Sequence, residues 1–447
     1  MSRIIVAATP VSGHHGPLLR IASHLSGAGH QVVFLGGARF ADEVRAAGPE
    51  FRPLPAEADY DDRDFAARFP ERARIPAGPA LQVWDVMHVF GDPTAAQCRA
   101  LKDTLADFPA TVVIHDNLFL GALALALGEE AATRPAVFSV GITPLIVESR
   151  DTAPPGSGLL PPADDAERER YAALAAHGEE QRKPLVDHLR ECFAAAGATL
   201  PEGPLGRVFT EAADVFVQLT VPGFEYPRGD QPANIRFAGI IPIPAGDGRE
   251  HPSWWPELLR AREQGRRIVV ATQGTLANDD LSRLVVPALR ALADRDDVLV
   301  VAATGRPDAA ARVAATLPEL PGNAVVAGFV PFADLLPYTD VLITNGGYGG
   351  TQAALAHGVP LVVAGASEDK PEVAARVEWT GTGVNLRTDT PTDEELRAAV
   401  ATVLGNLAHR ERAARLARQY ADHDALATFD TLARTASTPA PAPDSAR

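Results

Sequence analysis

Short apolar runs alternate along this chain with amphipathic stretches, an alternation that predicts strands and helices in turn. Ile4–Ala8 reads as a strand, Thr9–Gly16 as a loop, and a helix follows from Pro17, whose ring suits a first helical turn. Leu18, Leu19, Ile21, Ala22 and Leu25 give that helix one apolar face. Gly27 and Gly29 end it, and Gln31–Leu35 resumes as a strand. Further strand-like runs lie at Val112–Ile114, ending in His115-Asp116, and at Arg134–Gly141. This order predicts a parallel sheet wrapped by helices.

The rhythm breaks over 145–200, which reads as a Pro-rich loop followed by one or two amphipathic helices. Residues 221–248 are turn-rich and read as a linker. A second alternating unit follows. Ile268–Ala271, Val298–Ala303, Val325–Ala327, Val341–Ile343 and Leu361–Ala364 are strands, with helices over Leu281–Asp294 and Ala309–Leu317. From Glu394 to Arg434 the pattern is helical and charged, and the Pro/Ala/Ser-rich end reads as disordered. The expected division is a domain over 1–225, a linker over 226–250, a second domain over 251–415, a helix over 416–435 and a tail over 436–447.

At 447 residues the chain suits two or three domains. A formal net charge of −16 argues against nucleic acid or an anionic membrane as the main partner. No apolar run reaches the roughly 18–20 residues of a membrane span. Cys98 and Cys192 fit neither a disulfide framework nor a cysteine zinc site, which points to a reducing cytoplasm. The remaining histidines, His88 and His188 among them, show no metal-ligand spacing along the chain. Asp59-Tyr60-Asp61 and Asp62-Arg63-Asp64 read as an exposed, solvated acidic loop.

The chemistry concentrates at 341–365. The strand Val341–Ile343 runs into Gly346, Gly347, Gly349 and Gly350, then a short helix from Thr351 to His357 and another strand. Glycines let a backbone approach an anion, and the free N–H groups and dipole of a helix start favour phosphate. The plain alternative is a tight strand-to-helix turn that binds nothing. The wording of the stretch resembles the donor-binding segment of the family 1 glycosyltransferases, most of all their actinobacterial macrolide and polyketide branch. In this chain that segment spans Gly328 to about Lys370. The resemblance implies the GT-B fold, two Rossmann-like domains facing across a cleft, with the last helix crossing back to the first domain.

It also implies roles. His14, in Gly13-His14-His15-Gly16-Pro17, matches the family's general base, and Asp116 its carboxylate partner; a strand-end carboxylate can equally cap the next helix. Gly274 and Thr275 match the segment that meets the diphosphate. Phe329 matches the aromatic that stacks on the nucleobase, with Val330 offering backbone to the base edge; Phe329 reads almost as well as a core aromatic. Asn345 stands where the family usually has a His that donates to the diphosphate, so that the site leans on the backbone of Gly347 to Thr351 and on the Thr351 hydroxyl. Ala353 replaces a ribose-binding Glu, which leans towards dTDP, although Gln352 could serve a ribose. Asp369 and Lys370 stand where the family has an Asp-Gln pair holding the sugar. Trp84, Met87, Phe90 and Leu145 suggest an apolar acceptor pocket and are equally readable as core.

The expectation is an inverting, metal-independent glycosyltransferase. It would move sugar from a dTDP- or UDP-sugar to a hydroxyl of a small hydrophobic acceptor, without a cofactor, as a monomer or homodimer. The alternatives are a nucleotide-sugar epimerase and a non-catalytic helper that kept the fold.

Overall fold

Strands buried on both faces read as continuous apolar runs, and such strands assemble into parallel sheets covered by helices. In a computed structural model, which describes residues 1–76, 78–243, 251–274, 278, 280–306 and 308–436, the chain builds two of them. The first contains β1 (Arg3–Ala7), β2 (Gln31–Gly36), β3 (Glu50–Pro53), β4 (Val112–Asp116), β5 (Ala136–Gly141), β6 (Val215–Gln218) and β7 (Ile235–Phe237). Its order is β3-β2-β1-β4-β5-β6-β7, all parallel. The second contains β8 (Arg267–Thr272), β9 (Val298–Ala303), β10 (Ala324–Ala327), β11 (Val341–Thr344), β12 (Leu361–Val363) and β13 (Gly383–Asn385), in the order β10-β9-β8-β11-β12-β13, also parallel.

The order reverses between β1 and β4 in one sheet and between β8 and β11 in the other. Ligands of open α/β sheets sit in the crevice beyond the carboxyl ends of strands at such a reversal. The register pairs Ala7 with His115 and Thr272 with Thr344, so both crevices open where candidate site residues follow.

Several local expectations differ. The first helix runs Ser12–Gly27, beginning before Pro17 and taking His14 and His15 into its first turn. Residues 226–250, read as linker, include edge strand β7; its three residues are hidden between Pro- and Gly-rich flanks. Leu281–Asp294 resolves into a short turn of 3-10 helix, Leu281–Arg283, and a helix Val285–Ala291. The 145–200 stretch, by contrast, agrees with expectation: a loop leads into one long helix, Asp165–Ala195, which contains Pro184.

The two domains are joined by buried polar contacts. Gln218, ending β6, donates from Nε2 to the Tyr348 hydroxyl at 2.8 Å, and Thr220 donates to Gln352 Oε1 at 2.7 Å. Arg376, 1% exposed, donates to Glu225 at 2.9 Å, to Glu372 at 2.9 Å and to the Leu145 carbonyl at 3.0 Å, over the ring of Tyr226. The helix Leu407–Ala421 buries Ala413, Leu416 and Tyr420 in the second domain. The next helix, Ala425–Ala436, buries Ala425, Phe429 and Ala433 in the first, where Asp430 meets His30 Nε2 at 2.7 Å. Among the described residues no helix is long and apolar enough to cross a membrane.

Candidate functional site

Asp116 ends β4 and is fully buried, so its charge needs partners. It has four. The Thr9 amide donates at 2.7 Å, the Thr9 hydroxyl at 3.2 Å and the Leu118 amide at 3.0 Å, and His14 Nδ1 lies 2.8 Å from Oδ1. Burial by itself raises the Asp116 pKa; the charge and hydrogen bond of His14 and the Thr9 amide outweigh it, and the carboxyl sits below its ordinary range. An ionised Asp116 fixes the His14 proton on Nδ1. Nε2 is then the nitrogen able to accept a second proton. Phe90 stacks on the His14 ring at 5.7 Å.

The neighbouring histidines are placed differently. His15 stacks on Phe40 at 3.8 Å, and burial together with the Arg39 charge pushes its pKa down to about 4. His115 is fully buried, shares Nδ1 with the Asp116 carbonyl at 2.7 Å, and is lowered to about 4 by burial.

The helix that carries His14 has no side-chain cap from Val11. Its start is held from a distance: Asp62, 6% exposed, accepts from the Ser12 amide at 2.7 Å and pairs with Arg39 at 2.5 Å. The acidic loop read as solvated therefore contains a buried anchor. Tyr60 beside it is buried too, in an aromatic cluster with Val11, Phe69 and Val89, against which Phe65, Trp84 and Phe90 pack. Nothing in the linear order of 59–69 marked these residues as neighbours of His14.

Of the expected acceptor residues, Phe90 lies on His14 and Trp84 packs edge-on against Phe69 at 6.0 Å. Met87 is half-buried against a core cluster that includes Leu185 and Leu189. Leu145 follows the core reading: its side chain is buried with Val147, Phe216 and Ile235, and its backbone is tied to Glu225 and Arg376 between the domains.

At the second crevice, Asn345 follows β11 and donates to the Gln273 carbonyl at 2.7 Å, tying the two strand-end loops together, while its Oδ1 accepts from Gly347 at 3.4 Å. Gly346 has φ +86, and a Cβ there would lie 2.8 Å from Val363 Cγ1, so only glycine fits. Gly347 then opens the helix Tyr348–Ala356 without a side-chain cap, and the faces of Gly349 and Gly350 are open. Two details differ from expectation. The Thr351 amide is used inside the helix, bonded to the Gly347 carbonyl at 3.0 Å, and its hydroxyl is fully buried. Gln352 faces Thr220 and Tyr420 between the domains rather than a ribose.

Gly274 lies exposed after β8, and Thr275 falls outside the described residues. Phe329 is 68% exposed, which removes the core reading, while Val330 is buried. Lys370 is 5% exposed and paired with Glu368. Glu368 itself holds φ 55, a strained backbone for a non-glycine residue, and its carbonyl accepts from Gln82 of the first domain at 2.5 Å. Burial pushes the Asp369 carboxyl up to about 6; the charges of Lys370 and His14 pull the other way, and Glu368 adds to the rise. The contact of Gln82 with the Glu368 carbonyl brings the edges of the two crevices together. The fold also joins residues that linear spacing kept apart: His88, Asp92 and His188 form a compact cluster on the first domain.

Comparison with known proteins agrees with this geometry. Residues 288–426 match the family described as erythromycin biosynthesis protein CIII-like, C-terminal domain. The chain is 38% identical over 434 residues to 4'-demethylrebeccamycin synthase of Lentzea aerocolonigenes, covering 95% of this chain and 97% of the relative. It is 36% identical over 430 residues to UDP-glycosyltransferase 2 of Phaeomoniella chlamydospora, covering 95% and 93%. Among solved structures, the glycosyltransferase of kitacinnamycin superposes with a TM-score of 0.70 at 22% identity over 97% of this chain and 99% of that one. With such identity along nearly the full length of named glycosyltransferases, and with two parallel sheets facing across one cleft, the chain belongs to the GT-B glycosyltransferases of the family 1 type and is a glycosyltransferase.

Proposed function

We propose that this glycosyltransferase transfers sugar by a single inverting displacement, without a metal, from a dTDP- or UDP-sugar to a hydroxyl of a small apolar acceptor of the natural-product kind. The observation that carries the reading is the His14–Asp116 pair, 2.8 Å apart, at the strand reversal of the first sheet.

In this mechanism the acceptor hydroxyl lies against His14 Nε2. As its oxygen attacks the anomeric carbon, the proton passes to Nε2, and Asp116 stabilises the imidazolium. The bond from the anomeric carbon to the diphosphate oxygen breaks on the opposite face, which inverts the centre. The leaving diphosphate collects its charge at the helix-start N–H groups of Gly349 and Gly350 and at the helix dipole, so no cation is needed there. Asn345 orders this loop through Gln273 and Gly347 rather than supplying charge. Asp369 binds sugar hydroxyls and Phe329 stacks on the base. The acceptor lies against Phe90 and Trp84. The relatives named 4'-demethylrebeccamycin synthase and UDP-glycosyltransferase 2 support a natural-product acceptor and a nucleotide-sugar donor. The formed His14–Asp116 bond weighs against a helper that has lost catalysis.

The test is transfer from α-linked dTDP- and UDP-sugars to a panel of aromatic and polyketide acceptors, with the product's anomeric configuration read by NMR. The reading expects a β-linked product, and a turnover in chelator-treated protein that added Mg2+ or Mn2+ leaves unchanged. A retained α-linkage, or turnover appearing only with Mg2+ or Mn2+, contradicts it.

A further inference from the structure

His88 lies on a segment, Val86–Gly91, where the helix widens so that the Asp92 amide donates to the Met87 carbonyl at 2.9 Å. Widened turns of this kind are frequent at functional sites. Asp92 lies one turn beyond His88, and its two carboxylate oxygens are both engaged: His88 Nδ1 at 2.9 Å from one and His188 Nε2 at 2.7 Å from the other. His188 comes from the long helix Asp165–Ala195, far away in sequence. The close packing at Gly91 allows this approach, since a Cβ there would meet Leu189 Cδ2 at 3.0 Å.

One donor atom from each of the three residues lies within 4.8 Å of the others, and all three side chains are partly open to solvent. A tetrahedral ion with bonds of about 2.0–2.2 Å holds its donors roughly 3.4 Å apart. Small rotations of half-exposed side chains therefore suffice. Two imidazoles and a carboxylate suit a borderline divalent cation such as Zn2+ far better than Mg2+ or Ca2+, which favour all-oxygen shells. Trp84 covers His88 from one side at 4.8 Å, and the open side leaves a position for water.

We propose that His88, Asp92 and His188 form a binding site for a zinc-class divalent cation, separate from the transfer chemistry. The ion ties the long helix Asp165–Ala195 to the segment that bears Phe90, the residue stacked on His14. The site is a brace for the acceptor wall and does not depend on the transfer mechanism proposed above.

The experiment is calorimetric titration of untagged, chelator-treated and desalted full-length protein with Zn2+, beside thermal melts with and without the ion. One equivalent should bind at micromolar or tighter concentrations and raise the melting temperature. His188→Gln and Asp92→Asn should each weaken binding by more than about tenfold, and both should lose the Zn2+-dependent shift while melting normally without the ion. His14→Ala should bind Zn2+ as the unaltered protein does. No binding by the unaltered protein, binding unchanged in both cluster variants, or binding lost in His14→Ala would each overturn the assignment.

Discussion

At the scale of single residues, the site is organised by which charges are buried and what answers them. Asp116 keeps its charge because four donors surround it, and it passes that charge to His14 as orientation. Asp369 has fewer partners, and burial raises it to about 6. A carboxyl with a raised pKa is protonated below that value and ionised above it. If Asp369 binds sugar hydroxyls as a carboxylate, the KM for donor falls as pH rises through about 6, and Asp369→Asn removes the inflection. A donor KM with the same pH profile in both proteins refutes this role. His14 and Asp116 were legible in the sequence because a Gly-His-x-x-Pro loop and a strand-end Asp are local patterns. Thr9, Gln82 and Asp62 were not, because each acts on a partner distant in sequence. For Leu145 the sequence left core and pocket wall open, because apolar character marks both alike.

At the scale of elements, His14 and the glycine turn each depend on a helix start. The first helix begins at Ser12 rather than at Pro17 because Asp62 satisfies an amide that local sequence leaves uncapped. A proline was read as the first helical residue, whereas the ring sits farther along, and the glycines around the histidines gave no opposing signal. Asp62→Ala should lower stability by about 2 kcal/mol, the range of a charged hydrogen bond, and should reduce kcat, since the turn holding His14 loosens. Urea unfolding and turnover on the same preparation check both; an unchanged midpoint with unchanged kcat contradicts the anchoring role. The glycine-loop helix was visible from its punctuation. Strand β7 was not, because three residues between prolines and glycines carry too little pattern. His88 and Asp92 show a one-turn spacing, but His188 joins them only through the packing of two helices.

At the scale of the whole molecule, alternating strands and helices already implied two parallel sheets, and each sheet carries one order reversal, with Asp116 following one and the glycine turn after β11 following the other. What the linear pattern could not convey is how the halves are held. Arg376 answers Glu225 and Glu372 in a buried cluster, and Gln218, Thr220, Tyr348, Gln352 and Tyr420 continue the seam. Removing one partner from a buried charge cluster costs about 3–5 kcal/mol. Arg376→Ala should therefore lower the unfolding midpoint in urea clearly; a midpoint equal to that of the unaltered protein would show that the seam holds without it.

The central claim is that His14, oriented by Asp116, takes the acceptor's proton while the donor rests on the other domain. The most direct measurement is His14→Ala assayed twice on one preparation, for dTDP and UDP affinity by calorimetry and for transfer rate. The account predicts unchanged nucleotide affinity with kcat reduced by about 10²–10⁴-fold, the span of general-base catalysis. Transfer at the original rate, or loss of nucleotide binding in step with activity, would contradict it.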